Sequence, residues 1–358
     1  MVFPSSNLVN LCRCLRGKAP NGLDWMAVLE LANNTLTTPL LIDLVEQPDQ
    51  SVPQDVKIFV REVYRRNALR NDRLRGQLEE AVAALNERNV TPVLLKGSAV
   101  LATATPERSA TRIMSDLDIL VDPDQAETAL KALADLDYQS DFRAPPGSRK
   151  QYSDLKRARD VGMIDLHQAA PGPNYFYRAS GKLLSHCRPI SLGRGTAYVP
   201  VPTFQAFMLV IHDQFQDEDY WVGEIDVRHL VELRDLAASA QGIDWNRLTT
   251  FASSHLARNA VAKQLIALAE LFGVAVPAEL RKGWIPRLQF KRLLLQSRFP
   301  LVRWPLLSVA LLDYGNYRRE LGADYQSDVR RNETLTLPRA GTLRHLFGLV
   351  GRHRIGKA

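Results

Sequence analysis

Asp116 and Asp118 are one residue apart in the apolar run Ser115-Asp116-Leu117-Asp118-Ile119-Leu120-Val121. In an extended strand side chains alternate faces, so the two carboxylates point one way while Leu117 and Ile119 enter a core. Like charges this close repel, and a cation between them relieves the repulsion. Hard carboxylate oxygens suit Mg²⁺ or Mn²⁺. Upstream, Val93-Leu94-Leu95-Lys96-Gly97-Ser98-Ala99-Val100 reads as a short strand turning into a helix. At Gly97-Ser98 backbone N–H groups and a small hydroxyl suit phosphate oxygens. Lys96 ends the strand and has three readings: contact with phosphate, a pair with a carboxylate, or solvent. Arg112 lies four residues before Asp116, in a loop suited to reaching a triphosphate or an acceptor, or to a structural ion pair. Ile164-Asp165-Leu166-His167 repeats the alternation, with Asp165 and His167 on one face; His167 is read as a packed histidine or as a residue behind the site or beside an acceptor.

The Gly-Ser turn, the Asp-x-Asp strand and a third strand-borne Asp resemble the signature of the polymerase-β-like nucleotidyltransferase superfamily. The fuller match, Leu-Lys-Gly-Ser-Ala-Val, then Arg112, then Ile-Asp-Leu-His, resembles nucleotidyltransferase family five over residues 75–170. The resemblance implies an α/β (α+β) core with a small mixed sheet. It implies that Asp116 and Asp118 bridge two divalent ions, Mg²⁺ or Mn²⁺, and that Asp165 completes the site. It also implies transfer of a nucleoside monophosphate from an NTP to an acceptor with release of pyrophosphate, the phosphates resting on Lys96, Gly97, Ser98 and Arg112. The expected acceptor is a small molecule, peptide or protein rather than RNA. Helical domains of related transferases close over the nucleotide, so His212, Asp213 and Arg228 are read as cleft residues or, equally, as interhelical ion pairs. A non-catalytic nucleotide-binding module, or a transferase acting on a peptide or small-molecule natural product, is the alternative. A P-loop and the kinase His-Arg-Asp and Asp-Phe-Gly elements are absent, which disfavours phosphoryl transfer of those kinds.

These residues must be positioned by elements whose pattern is visible. Val28, Leu31 and Ala32 mark one N-terminal helix, and a second runs from about Val56 to Asn86, separated from the first by Gln47–Gln54 with its Pro53. Leu74, Leu78, Val82 and Leu85 recur every three or four residues, a stripe suited to backing the catalytic sheet. Strands follow over Val93–Leu95, Leu117–Val121 and Gly162–His167. A short helix is expected from Ser98 and another over Pro123–Leu136. Ile190 and Ala197–Val199 suggest a last strand pair, giving a sheet of about four or five strands. Thr203 is the expected N-cap of a helix over Phe204–Phe215, followed by helices over Val227–Ala240, Trp245–Leu256 and Ala260–Phe272. The implied organisation is an N-terminal helical region (1–74), a nucleotidyltransferase core (75–202), a helical domain (203–330) and a basic tail (331–358).

Composition sets the frame. The 358 residues are 46% hydrophobic, as in globular proteins, and carry a net charge of +7. Residues 281–358 hold 16 Lys/Arg against 5 Asp/Glu, so the first 280 residues are net acidic and the basic character belongs to the C-terminal part. There Arg330, Arg331, Arg339, Arg344, Arg352, Arg354 and Lys357 alternate with apolar residues, a pattern read as a solvated face or as contact with a peripheral membrane or an acidic partner. Three cysteines, Cys12, Cys14 and Cys187, form no zinc-binding set. With no secretory leader and no apolar run of about 18 residues, the expected location is cytoplasmic.

Overall fold

The computed structural model describes residues 6–48, 51–143, 151–178, 180–327 and 356–357. The chain forms two compact units. One comprises residues 37–171 and 181–208, the other residues 1–36, 172–180 and 209–358.

The first unit is built on a seven-stranded mixed sheet, of β1 (Val93–Leu94), β2 (Asp116–Leu120), β3 (Gln139–Arg143), β4 (Gln151–Lys156), β5 (Met163–His167), β6 (Cys187–Leu192) and β7 (Gly195–Pro200), in the order β3-β4-β5-β2-β1-β7-β6. β2 runs antiparallel to β1 and parallel to β5. The hairpin β3–β4 adds strands beyond the four or five expected. β3 is exposed along its whole length and polar except for Phe142, so it lacks the in–out alternation by which a half-buried strand is recognised.

A single helix from Gln54 to Glu87 backs the sheet. Pro53 precedes its first turn, where a proline costs no hydrogen bond. The boundary expected at residue 74 falls inside this helix. Its stripe of Leu74, Leu78, Val82 and Leu85 is fully buried against Leu117, Ile119, Ile164 and Leu166, the inward residues of β2 and β5. Burying side chains of this size contributes roughly 1.5–3 kcal/mol each, which holds the opposite, carboxylate-bearing face of those strands in a fixed place. The same stripe continues backwards in polar form. Asn71 Nδ2 donates to the carbonyls of Ser109 and Arg112 at 2.7 and 2.9 Å, and Asn67 Nδ2 donates to those of Ala110 and Arg112 at 2.6 and 2.9 Å. The loop before β2 is thus clamped to the helix.

The second unit is helical among its described residues. The helix expected over Phe204–Phe215, whose residues up to Met208 are counted in the first unit, instead starts at Pro202 and ends at Ile211, then widens into a π-turn over His212–Gln216. Thr203 therefore lies within the helix and not at its cap. Val227–Ala238 is a helix capped by Asp226. The helices expected over Trp245–Leu256 and Ala260–Phe272 are Trp245–Phe251 and His255–Phe272. Ser254 Oγ accepts from Ala257 N at 3.1 Å and starts the second one five residues early. No helix of the described residues is long and apolar enough to cross a membrane. Of the basic tail, 331–355 and 358 lie outside the described residues, as does Arg330 before them.

Candidate active site

Asp118 and Asp165 sit side by side on neighbouring parallel strands, in direct register across β2 and β5. The parallel pairing places the outward faces of both strands on one side of the sheet, so Asp116, Asp118, Asp165 and His167 share it. Ligand atoms of Asp118, Asp165 and His167 all lie within 4.8 Å of one another. Asp116, at the start of β2, lies outside that close group but adds its charge to Asp165 and Lys96.

Two basic groups converge on a single oxygen. Lys96 Nζ donates to Asp118 Oδ1 at 2.7 Å, and His167 Nε2 lies 2.9 Å from the same atom. Of the three readings for Lys96, the carboxylate pair is the one found. Burial pushes the Asp118 carboxyl up, but Lys96 and His167 outweigh it and hold the group well below the usual carboxylate range. For Lys96 burial acts in the opposite sense and is overcome by Asp118, Asp116 and Asp165, so its proton is held more tightly than usual. Lys96 adopts a left-handed backbone, φ +46°, at the turn from β1 into the Lys96–Thr103 helix. Such a conformation costs a non-glycine residue roughly 1–3 kcal/mol. The turn is braced by Leu95 N–H donating to the Asp118 carbonyl at 3.1 Å.

For Asp165 the balance goes the other way. Burial first, then Asp116, Asp118 and Asp154, outweigh the downward pull of His167 and push its carboxyl up to about 7. Its Oδ1 is buried without a hydrogen bond. Burial and then Asp118 also raise Asp116. Asp154 was not singled out in the sequence. It faces Asp165 across the antiparallel β4–β5 pair, in a strand whose pattern is too polar to read. The site therefore concentrates carboxylates, one bearing an unused buried oxygen, in the donor chemistry that hard divalent cations take.

The Gly97-Ser98 turn differs in detail from the expectation. Gly97 and Ser98 are in the first turn of the Lys96–Thr103 helix, both buried. A Cβ on Gly97 would overlap Met114 Sδ and stand 3.2 Å from Arg112 Nε, so a side chain here must displace the residues of the loop before β2. Close approach of a triphosphate is not needed to explain the glycine. Ser98 Oγ is fully enclosed and makes no hydrogen bond. Arg112 is buried, beside Gly97, and its charge acts on Asp116.

His212, Asp213 and Arg228 belong to the helical unit, where they join a separate polar network. Asp213 accepts from the Asp226 N–H at 3.0 Å and from Gln214 Nε2 at 2.5 Å, and Gln264 Nε2 also donates to it. Arg228 donates to Asp226 Oδ2 at 3.2 Å, and His212 Nδ1 is 3.4 Å from Asp217. The ion-pair reading of these residues is the one their contacts match. Lys357 completes the network, its ammonium 2.8 Å from Asp219, 2.9 Å from Asp217 and 3.3 Å from Asp213. In the sequence Lys357 is one more positive charge of the tail, and no spacing signals its partners.

A strand-borne carboxylate cluster beside a strand-to-helix turn, on a mixed sheet with added helices, defines the class as a nucleotidyltransferase fold. A family profile described as an uncharacterised nucleotidyltransferase matches residues 21–273, and the chain belongs to that family. The match spans the whole sheet and extends through the helix ending at Phe272. No curated protein matches the chain.

Proposed function

We propose that the protein transfers a nucleoside monophosphate from an NTP to an acceptor with release of pyrophosphate. The observation that carries this reading is the side-by-side placement of Asp118 and Asp165, with the Asp165 Oδ1 buried and without a hydrogen bond. The acceptor oxygen attacks the α-phosphorus, the bond from that phosphorus to the bridging oxygen breaks, and pyrophosphate departs with the electron pair. Asp116, Asp118 and Asp165 are the residues to hold a divalent ion. When bound, Mg²⁺ or Mn²⁺ supplies Lewis acidity to the attacking oxygen and neutralises the triphosphate.

The chain's own groups bind and orient. Lys96, paired with Asp118 in the metal-free protein, would be free to pair with a phosphate if that carboxylate held an ion, and Arg112 would offer a guanidinium beside the turn. The Gly97 and Ser98 backbone is proposed to hold phosphate oxygens, and the enclosed Ser98 hydroxyl reaches one only when the turn opens. His167 orients Asp118. The acceptor is proposed to be a small molecule, peptide or protein.

The experiment is incubation of the protein with α-labelled and γ-labelled NTPs, Mg²⁺ and a cell extract. Label from the α position on an acceptor, with pyrophosphate in solution, supports the reading. Nucleoside diphosphate release with γ-label on the acceptor contradicts it. One observation favours a nucleotide-binding module without turnover, namely that Lys96 already neutralises Asp118 while His167 Nε2 contacts the same oxygen. That reading predicts NTP binding with neither product.

A further inference from the structure

Seven of the thirteen large hydrophobic residues exposed on the described chain fall between residues 284 and 312. The helix Trp284–Arg298 buries Phe290 and Leu293 on one side. On the other it exposes Trp284, Arg287, Lys291 and Leu295. At about 100° per residue, Trp284, Lys291 and Leu295 fall on nearly one line along the helix, with Arg287 and Arg298 flanking it. The short turns that follow add Phe299, Leu301, which is 87% exposed, and Trp304. An outward helix face in a soluble domain carries mostly polar residues, so a line that alternates tryptophan, lysine and leucine calls for a partner.

The charge pattern selects the partner. Residues 280–312 contain seven Lys/Arg and no Asp or Glu; Arg292 is buried and Arg303 pairs with Glu224, which leaves five for the surface. We propose that this face of the helical unit docks on an anionic lipid surface. The Trp and Leu side chains enter the boundary between headgroups and acyl chains, and Lys282, Arg287 and Lys291 lie at the level of the lipid phosphates. A second copy of the chain fits poorly, because two such faces repel. Nucleic acid fits less well, because four of the seven exposed apolar side chains, Leu295, Leu301, Leu311 and Leu312, are aliphatic and add nothing to base stacking, whereas all seven can enter lipid. The proposal is independent of the nucleotidyl-transfer reading and places the contact on described helix and turns, upstream of the 331–358 tail.

The test is flotation of the full-length protein with vesicles of phosphatidylcholine alone or with about a third phosphatidylglycerol, at low and high salt. Co-flotation with the anionic vesicles, a blue shift of tryptophan emission, and release at about 0.5 M salt, where charges are screened within a few ångströms, are expected. Trp284→Ala combined with Leu301→Ala and Trp304→Ala should lower partitioning at least tenfold. The charge variant Arg287→Glu with Lys291→Glu should do the same, and it leaves every apolar residue in place should the first variant fail to fold. Failure to float with anionic vesicles would overturn the proposal. So would unchanged partitioning of a folded variant, loss of binding only when Arg339, Arg344 and Arg352 are neutralised, or RNA binding or self-association in place of vesicle binding.

Discussion

Replacing Asp165 by Asn should stabilise the metal-free protein. The carboxyl is pushed up to about 7 by burial and by Asp116, Asp118 and Asp154, against about 3.9 for an Asp in an unfolded chain. Between those values the folded protein keeps a proton that the unfolded chain has lost, so stability falls as pH rises from about 4 to about 7 and stays reduced above. At 1.36 kcal/mol per tenfold change in proton affinity the full cost is about 4 kcal/mol. Solvent at this half-buried group and the sharing of the charge among neighbours reduce it to about 2 kcal/mol. The amide keeps the shape, removes the charge, and forfeits no hydrogen bond at the buried Oδ1. Urea denaturation in chelator at pH 8 should show Asp165→Asn more stable by about 1–3 kcal/mol, and at pH 4 the difference should vanish. Added Mn²⁺ should raise the wild type and leave the variant unmoved. A variant that is equally or less stable at pH 8 would refute the crowding of charge on which the site rests.

Asn71→Ala removes both hydrogen bonds to the loop before β2 and should cost about 1–3 kcal/mol in urea melts, with faster amide exchange across residues 109–112. Gly97→Ala drives a Cβ against Met114 Sδ and should cost about 1–3 kcal/mol; if that contact is the cause, Met114→Ala in the same chain restores part of the loss, and no restoration in the double-mutant cycle would assign the strain elsewhere. Burial raises the thiols of Cys12 to about 12, Cys14 to about 11 and Cys187 to about 12. All three therefore stay protonated at pH 8, and a thiol reagent should label fewer than one per native chain and three in denaturant.

The carboxylate-bearing face was legible because a strand's period of two is enough to put Asp116 with Asp118 and Asp165 with His167. The stripe from Leu74 to Leu85 likewise announced the helix behind them. Register between strands was not legible, since it depends on which strands become neighbours, and that is why Asp154 escaped notice and why Asp116 stands apart from the closest group. The partner of Lys96 was undecidable from spacing: a long side chain beside a turn reaches several groups, and the left-handed backbone at Lys96 selects among them. Asn67 and Asn71 carried a usable signal, since they extend the helix stripe four residues at a time, but polar residues on such a line read as its end. Gly97 shows that packing against Met114 disfavours a side chain there apart from any approach of a ligand. Thr203 and Ser254 show how close cap signals compete, Pro202 taking the first turn in one case and Ser254 outcompeting a later start in the other.

The central claim is that Asp118 and Asp165 together hold a divalent ion for nucleotidyl transfer. Mn²⁺ titration followed by electron paramagnetic resonance, with a non-hydrolysable NTP present, tests it most directly, comparing the wild type with Asp118→Asn and Asp165→Asn. The account predicts nucleotide-dependent Mn²⁺ binding by the wild type and its loss by at least tenfold in each variant, both remaining folded. Equal Mn²⁺ binding by all three proteins would contradict it.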